Sequence, residues 1–172
     1  MDFNTIYTEH HRRVYNFCLN YLRHEQDAEE ATQDVFVKVH QKIDGFKAQS
    51  QLSTWIYRIA VNICHDRAKA KARKKRFGFL QSLFHEETGE VRREAETFVH
   101  PGVDLEHREA VERIFALIDT LPSNQKTALL LSRIEEKTQK EIAAIMALSE
   151  KAVESLLFRA KENLLKKINP RE

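Results

Sequence analysis

The stretch STWIYRIAVNICHDRAKAKARKKR, residues Ser53–Arg76, decides the fold. Leu52 just before it and Ile56, Ile59 and Ile63 within it recur at steps of three and four, the period of one helix face. No Gly or Pro interrupts the run, and its last ten residues hold seven Lys or Arg. The spacing predicts one continuous helix, a core former in its first half and a cationic rod in its second. Only four Gly and three Pro punctuate the 172 residues, and apolar residues keep helical spacing almost throughout, so an all-α chain is expected.

Working outward from this helix, two more precede it. The first covers about Phe3 to Leu22, with Ile6, Val14, Phe17, Leu19 and Tyr21 as apolar surface. The second is expected to start at Asp27, where DAEE offers an Asp-x-x-Glu capping box with Glu30, and to carry a stripe of Ala28, Ala31, Val35 and Val39. It fades at KIDGF, where Gly45 permits a sharp turn. Downstream, periodicity weakens from Phe77 to about His107. HEETGE and HPG are loop signals, while Phe77, Phe79, Leu80, Leu83 and Phe84 remain as apolar spots. Helical pattern resumes up to about Ile118, is interrupted by TLPSNQ, and continues over about Asn124–Glu135. A short helix then opens at Thr138 with Glu141 completing a capping box, ALS turns the chain, and a last helix begins after Ser149. Val153, Leu157, Ala160, Leu164 and Ile168 form its buried seam. The expected organisation is two small helical domains, residues 1–76 and 108–172, joined by a flexible linker over 77–107.

Charge supports that division. The first segment holds 14 basic and 9 acidic residues, the linker 2 and 7, and the last 12 and 10. Two basic ends around an acidic middle suggest two anion-facing modules, with nucleic acid a plausible polyanion. Cys18 and Cys64 are too few for a disulfide framework and sit among apolar neighbours, so buried thiols and a cytoplasmic location are expected. No segment reads as a signal peptide or a membrane span.

TQKEIAAIMALSEKAVESLLFRAKENLLKKI, Thr138–Ile168, reads as a helix-turn-helix. Ile142, Ala143 and Met146 would pack across the longer helix, whose first turns would enter a major groove. A plain helical hairpin has much the same pattern. Off the seam lie Glu150, Lys151, Glu154, Ser155, Phe158 and Arg159. Glu154 is unfavourable near phosphates but suited to a cytosine amino group. The basic run Arg67–Arg76 reads either as a solvated face or, together with Trp55, Tyr57, Arg58 and Asn62, as a surface for single-stranded nucleic acid, where aromatics stack and cations follow phosphates. Asp27, Glu30 and Asp34 recur at three and four. A protein-docking ridge suits them better than a metal site, because no His or Asn companions lie nearby. There is no zinc-ligand spacing, phosphate loop or nucleophile elbow, so neither a cofactor nor catalysis is expected.

Together the segments DAEEATQDVFVKVHQKI, FKAQSQLSTWIYRIAVNICHDRAKAKARKKR, and LPSNQKTALLL followed by TQKEIAAIMALSEKAVESLLFRAKENL resemble a bacterial sigma factor of the small extracytoplasmic-function (ECF) group. The resemblance spans nearly the whole chain. It implies a factor that binds core RNA polymerase, directs it to promoters with −10 and −35 elements, and helps melt the −10 element. Asp27, Glu30, Gln33 and Asp34 would face the clamp helices of the largest polymerase subunits. Phe46, Lys47 and the rest of the KAQSQ loop would surround a base flipped from the non-template strand, with Asn62 lining that pocket. Trp55, Arg58, Arg67 and later basic residues would hold the melted strand. The linker would thread toward the RNA exit path, and Lys151, Glu154, Ser155, Phe158 and Arg159 would lie at the −35 major groove. An anti-sigma protein is an implied partner. Many relatives carry a basic residue at the place of Glu154 and Arg at that of Leu156, and a small residue is the more usual entry at Glu150–Lys151. A stand-alone helix-turn-helix regulator, which would be dimeric on a palindromic site, and a metal-dependent nucleic-acid enzyme using Asp27, Glu30 and Asp34 are the competing expectations.

Overall fold

The computed structural model describes residues 2–48, 50–84 and 105–169, without the side chains of 78–84 and 105–108. Seven α-helices and a single 3-10 turn follow one another, with no strand among the described residues. Helix α1 is Phe3–Leu22, opened by Asp2, whose carboxylate accepts from the Thr5 N–H at 3.3 Å. It ends at Arg23 in the left-handed region, φ 58°. Only Arg23 and His24 separate it from α2, Glu25–Lys42, so the two form a helical hairpin.

The expected start of α2 at Asp27 is corrected by two residues. His24 is the N-cap, and its Nδ1 accepts from the Asp27 N–H at 3.2 Å. Asp27 therefore sits inside the first turn, where a carboxylate complements the helix dipole, and its side chain is directed to a cation of the next helix. The 3-10 turn Ile43–Gly45 follows. The left-handed residue of this connection is Ala48, φ 52°, so the backbone freedom expected of Gly45 is not what the turn uses.

Helix α3 runs Leu52–Phe84, past the expected end at Arg76. At 1.5 Å per residue it is about 50 Å long. The added residues, FGFLQSLF, contain no Pro, and Leu80, Gln81 and Leu83 among them are good helix formers that prolong the helix begun by the Ala, Lys and Arg run. What the sequence suggests for 85–104, for Gln49 and for the side chains of Phe79, Leu80, Leu83 and Phe84 lies outside the described residues, while Phe77 is exposed. Ile6, Val14, Phe17, Ala28, Ala31, Val35, Val39, Ile56, Ala60 and Ile63 are buried where α1, α2 and α3 meet. Each large aliphatic among them contributes about 1.5–3 kcal/mol through burial.

The C-terminal helices are α4 (Leu105–Asp119), α5 (Ser123–Arg133), α6 (Gln139–Met146) and α7 (Glu150–Ile168). The Thr138–Glu141 capping box is complete: the Thr138 N–H donates to the Glu141 carboxylate at 2.8 Å and the Glu141 N–H to the Thr138 hydroxyl at 3.3 Å. Ala147 turns the chain at φ 54°, and the Ser149 hydroxyl caps α7 through the Ala152 N–H at 3.1 Å. Ile142, Ile145, Val153 and Ala160 are buried between α6 and α7. Two expectations change: Ile145 is buried in the core beside the expected Ile142 and Ala143, and Ile168, in the last turn of α7, is 57% exposed.

The two groups of helices touch. Helix α6 lies on α3 and α5 on α1. Lys126 donates through Nζ to the Tyr21 carbonyl at 2.7 Å, the Arg23 guanidinium stands 4.2 Å from the Phe115 ring centroid, and His65 Nε2 is 2.8 Å from the Thr127 hydroxyl. This contact buries α3 on a second side. Tyr57 and Val61, off the predicted stripe, are 2% and 5% exposed. No helix among the described residues is long and apolar enough to cross a membrane.

Candidate nucleic-acid and partner interface

Helix α2 turns its acidic residues outward because Ala28, Ala31, Val35 and Val39 fill its inner face. Glu30, Gln33 and Asp34 are exposed and Asp27 half-buried. Arg67 of α3 reaches two of these carboxylates, Glu30 at 2.9 Å and Asp34 at 2.6 Å, while Lys71 reaches Asp27 at 2.9 Å. Burial alone would raise the Asp27 pKa. The Lys71 ammonium outweighs it and holds the carboxyl below its ordinary value. Arg67, expected on the strand-binding side, thus faces the acidic row. Exposed ion pairs of this kind contribute about 0–1 kcal/mol, so a partner can exchange them cheaply. Val37, exposed at 54%, extends the same face one turn past Gln33 and Asp34. Its spacing of four and three residues from them is the signal in the sequence that marks it. Among the described residues no group of three or more His, Cys, Asp or Glu is placed to hold a metal ion.

At the other end of α3, Phe46 folds back onto Trp55, ring centroids 5.1 Å apart. Lys47 is exposed in the same connection. Trp55, Arg58 and Asn62 follow at three and four residues and so share a face. Asn62 is exposed between buried Val61 and Ile63, on a backbone that their packing fixes. Arg58 donates through Nη2 to the Ala144 carbonyl of α6 at 2.5 Å. Tyr57 corrects the expectation of an available stacking face: its ring is buried and its hydroxyl donates to the Glu135 carboxylate. Burial and the Glu135 charge raise the Tyr57 pKa. Burial also raises that of Glu135, against the Tyr57 bond and the charges of Lys137 and Arg13.

On α7, Lys151, Glu154, Ser155, Phe158 and Arg159 are all exposed on the first three turns, while Val153 and Ala160 face inward. Phe158 is 64% exposed, and with Glu154 it borders an apolar groove of about 550 Å³ between α5 and α7, where Leu157 and Leu164 also open. The site residues therefore fall on three surfaces: the acidic α2 row with Arg67, the Phe46–Asn62 face of α3, and the outer face of α7.

Two family models match this chain in order: Sigma-70 region 2 over residues 6–74 and Sigma-70, region 4 over residues 112–164. The ECF RNA polymerase sigma-E factor of Haemophilus influenzae is 28% identical over 170 residues, covering 98% of this chain and 88% of the relative. That of Escherichia coli is 28% identical over 170 residues, with 98% and 87% covered. Among solved structures, CnrH in complex with the cytosolic domain of CnrY superimposes with a TM-score of 0.68 at 21% identity, covering 99% of this chain and 89% of the other. The sigma factor RpoE of Bartonella quintana, solved with the anti-sigma factor NepR, gives a TM-score of 0.69 at 18% identity, with 99% of both chains covered. At these identities the two structures establish a shared fold.

Proposed function

The chain belongs to the sigma-70 family, in its ECF group, and on that premise we propose how it divides the work of a sigma factor, which directs core RNA polymerase to promoters, among its three surfaces. The acidic row Asp27, Glu30, Gln33 and Asp34 docks on the polymerase. Its exposure on one face of α2 supports this, as do ion pairs weak enough to be exchanged. Phe46, Lys47, Trp55, Arg58 and Asn62 receive the melted −10 strand. Lys151, Glu154, Ser155, Phe158 and Arg159 read the −35 element in duplex form. Residues 1–76 and 108–172 are the two working domains, and 77–107 joins them.

The chain acts by binding alone. Extruding a base costs a few kcal/mol, and stacking on an aromatic returns about 1–3 kcal/mol per base. Contacts from Asn62 and from cations on α3 then make opening favourable. Its place of action is the cell interior, where the polymerase is. An anti-sigma protein is the expected inhibitor, since one sigma-fold neighbour, RpoE of Bartonella quintana, has been solved with such a partner.

The observation that carries this proposal is the ordered pair of family matches, region 2 on α1–α3 and region 4 on α4–α7. The test is reconstitution: the purified chain and bacterial core RNA polymerase, assayed by run-off transcription on a pool of genomic promoters. Transcripts that need the chain, with shared elements near −35 and −10, are the expected outcome. No polymerase binding at all would transfer support to a stand-alone regulator.

A further inference from the structure

Where α1 crosses α3, two thiols lie buried against each other. Cys18 and Cys64 are both fully buried, and their sulfurs are 3.7 Å apart. Neither is part of a metal-ligand cluster among the described residues. The sulfurs are already in contact, on neighbouring helices that belong to one core. A disulfide needs them at about 2.05 Å, an approach of the size that side-chain rotation and a small helix shift provide.

We propose that Cys18 and Cys64 are a reversible dithiol switch, converted by hydrogen peroxide to a disulfide that staples α1 to α3. The Cys18 thiolate attacks one peroxide oxygen. The O–O bond breaks, the leaving oxygen departs as hydroxide and takes up a proton, and Cys18 is left as a sulfenic acid. The Cys64 sulfur then attacks the Cys18 sulfur. The S–O bond breaks, water leaves with the Cys64 proton, and the S–S bond forms. Two thiols and one peroxide give one disulfide and two waters, and a small dithiol reverses the change. Cys18 is the attacking sulfur because the Cys64 thiol donates a hydrogen bond to it and the Arg67 charge acts in the same sense; both lower its pKa against burial. In a reducing compartment such a pair stays open, and a disulfide there is a transient signal. Complete burial makes oxidation slow, because peroxide enters only when the helices part locally.

The staple acts at a sensitive place. Cys64 lies two residues after Asn62 and three before Arg67, so drawing it toward α1 displaces the strand-binding face and the tie to α2 together.

The test uses the full chain, reduced, treated natively with hydrogen peroxide, freed of it, and alkylated after denaturation. The expected product has lost two hydrogens, takes no alkyl groups, and yields a linked peptide pair containing Cys18 and Cys64 that dithiothreitol separates. Two alkylated cysteines, sulfinic acids in place of the link, or only chain-to-chain disulfides would overturn the proposal. This arm needs no variant and does not depend on the sigma-factor assignment. In run-off transcription the oxidised chain should lose activity severalfold and regain it with dithiothreitol, while peroxide-treated Cys64→Ala, shown folded by circular dichroism, keeps its activity. An equal loss in Cys64→Ala would overturn the regulatory role.

Discussion

Asn62 is the residue on which the −10 assignment turns. It is exposed, but Val61 and Ile63 on either side are nine-tenths or more buried, so its backbone is held while its amide stays available. A polar group fixed in this way reads a displaced base at little ordering cost. Asn62→Ala should leave the helix and polymerase affinity unchanged. It should lower open-complex yield by roughly five- to tenfold, the worth of one hydrogen bond of about 1–1.5 kcal/mol. Permanganate footprinting of the melted strand, beside a polymerase-binding titration, checks both halves, and a normal footprint would remove Asn62 from the pocket. Arg67 makes the contrasting case. Its guanidinium joins Glu30 and Asp34 at the surface, so Arg67→Ala should change the urea unfolding free energy by no more than about 1 kcal/mol. A larger loss would mean that the bidentate tie organises α2 against α3.

At the scale of the element, the helix-turn-helix rests on local chemistry. Thr138→Ala removes the hydroxyl that accepts from the Glu141 N–H and donates to the Glu141 carboxylate, leaves the Thr138 N–H bond in place, and should cost about 1 kcal/mol by urea unfolding. Ala147 holds a left-handed φ of 54° between α6 and α7. Left-handed backbone costs an L-residue about 1–2 kcal/mol, of which glycine's greater unfolded entropy returns part, so Ala147→Gly should gain up to about 1 kcal/mol. A loss in that variant would show that the Ala147 methyl packs.

Features of this local kind were legible in the sequence: the α6 box, the Ser149 cap, the span of α1 and the inner stripe of α2. Each is written within a few residues. The start of α2 was misread because DAEE satisfies a capping pattern, although the chain had already turned helical at Glu25 under His24. Tyr57 was misread for a different reason. Its ring packs on Phe17 of α1 and its hydroxyl is met by Glu135, 78 residues away, and no period along α3 encodes a partner from another helix group. The outward site residues were legible as a pattern of charge and resemblance. Which of them the fold engages was not: Arg58 meets Ala144, and Arg67 meets the acidic row.

At the scale of the whole molecule, these engagements conflict with the proposed work. Arg58 commits one of its five N–H donors to the Ala144 carbonyl, so the proposed phosphate contact competes with the packing of α6 beside α3. The contact contains groups whose ionisation reports its opening. His65 of α3 faces Thr127 and Lys126 of α5 and the Tyr21 ring of α1. Burial, then the Lys69 charge, lower its pKa below the ordinary 6.5. His10 of α1, near Arg13 and Lys137, is lowered chiefly by burial as well. A lowered base binds fewer protons in the closed form. The histidine contribution is therefore complete above about pH 6.5 and is lost as pH falls through the lowered values. Glu135, facing Tyr57, Lys137 and Arg13, has the opposite sign. Its raised pKa means that the closed form binds more protons, so closure strengthens as pH falls from the raised value toward the ordinary 4.5. Variants separate the two. Glu135→Gln leaves the histidines, and acidification from neutral pH should open the molecule. The double variant His10→Gln, His65→Gln leaves Glu135, and acidification should close it. Small-angle scattering of the full chain across pH 4.5–7.5 reads the separation of the helix groups in each variant. The same pH response in both would show that the contact titrates through neither set.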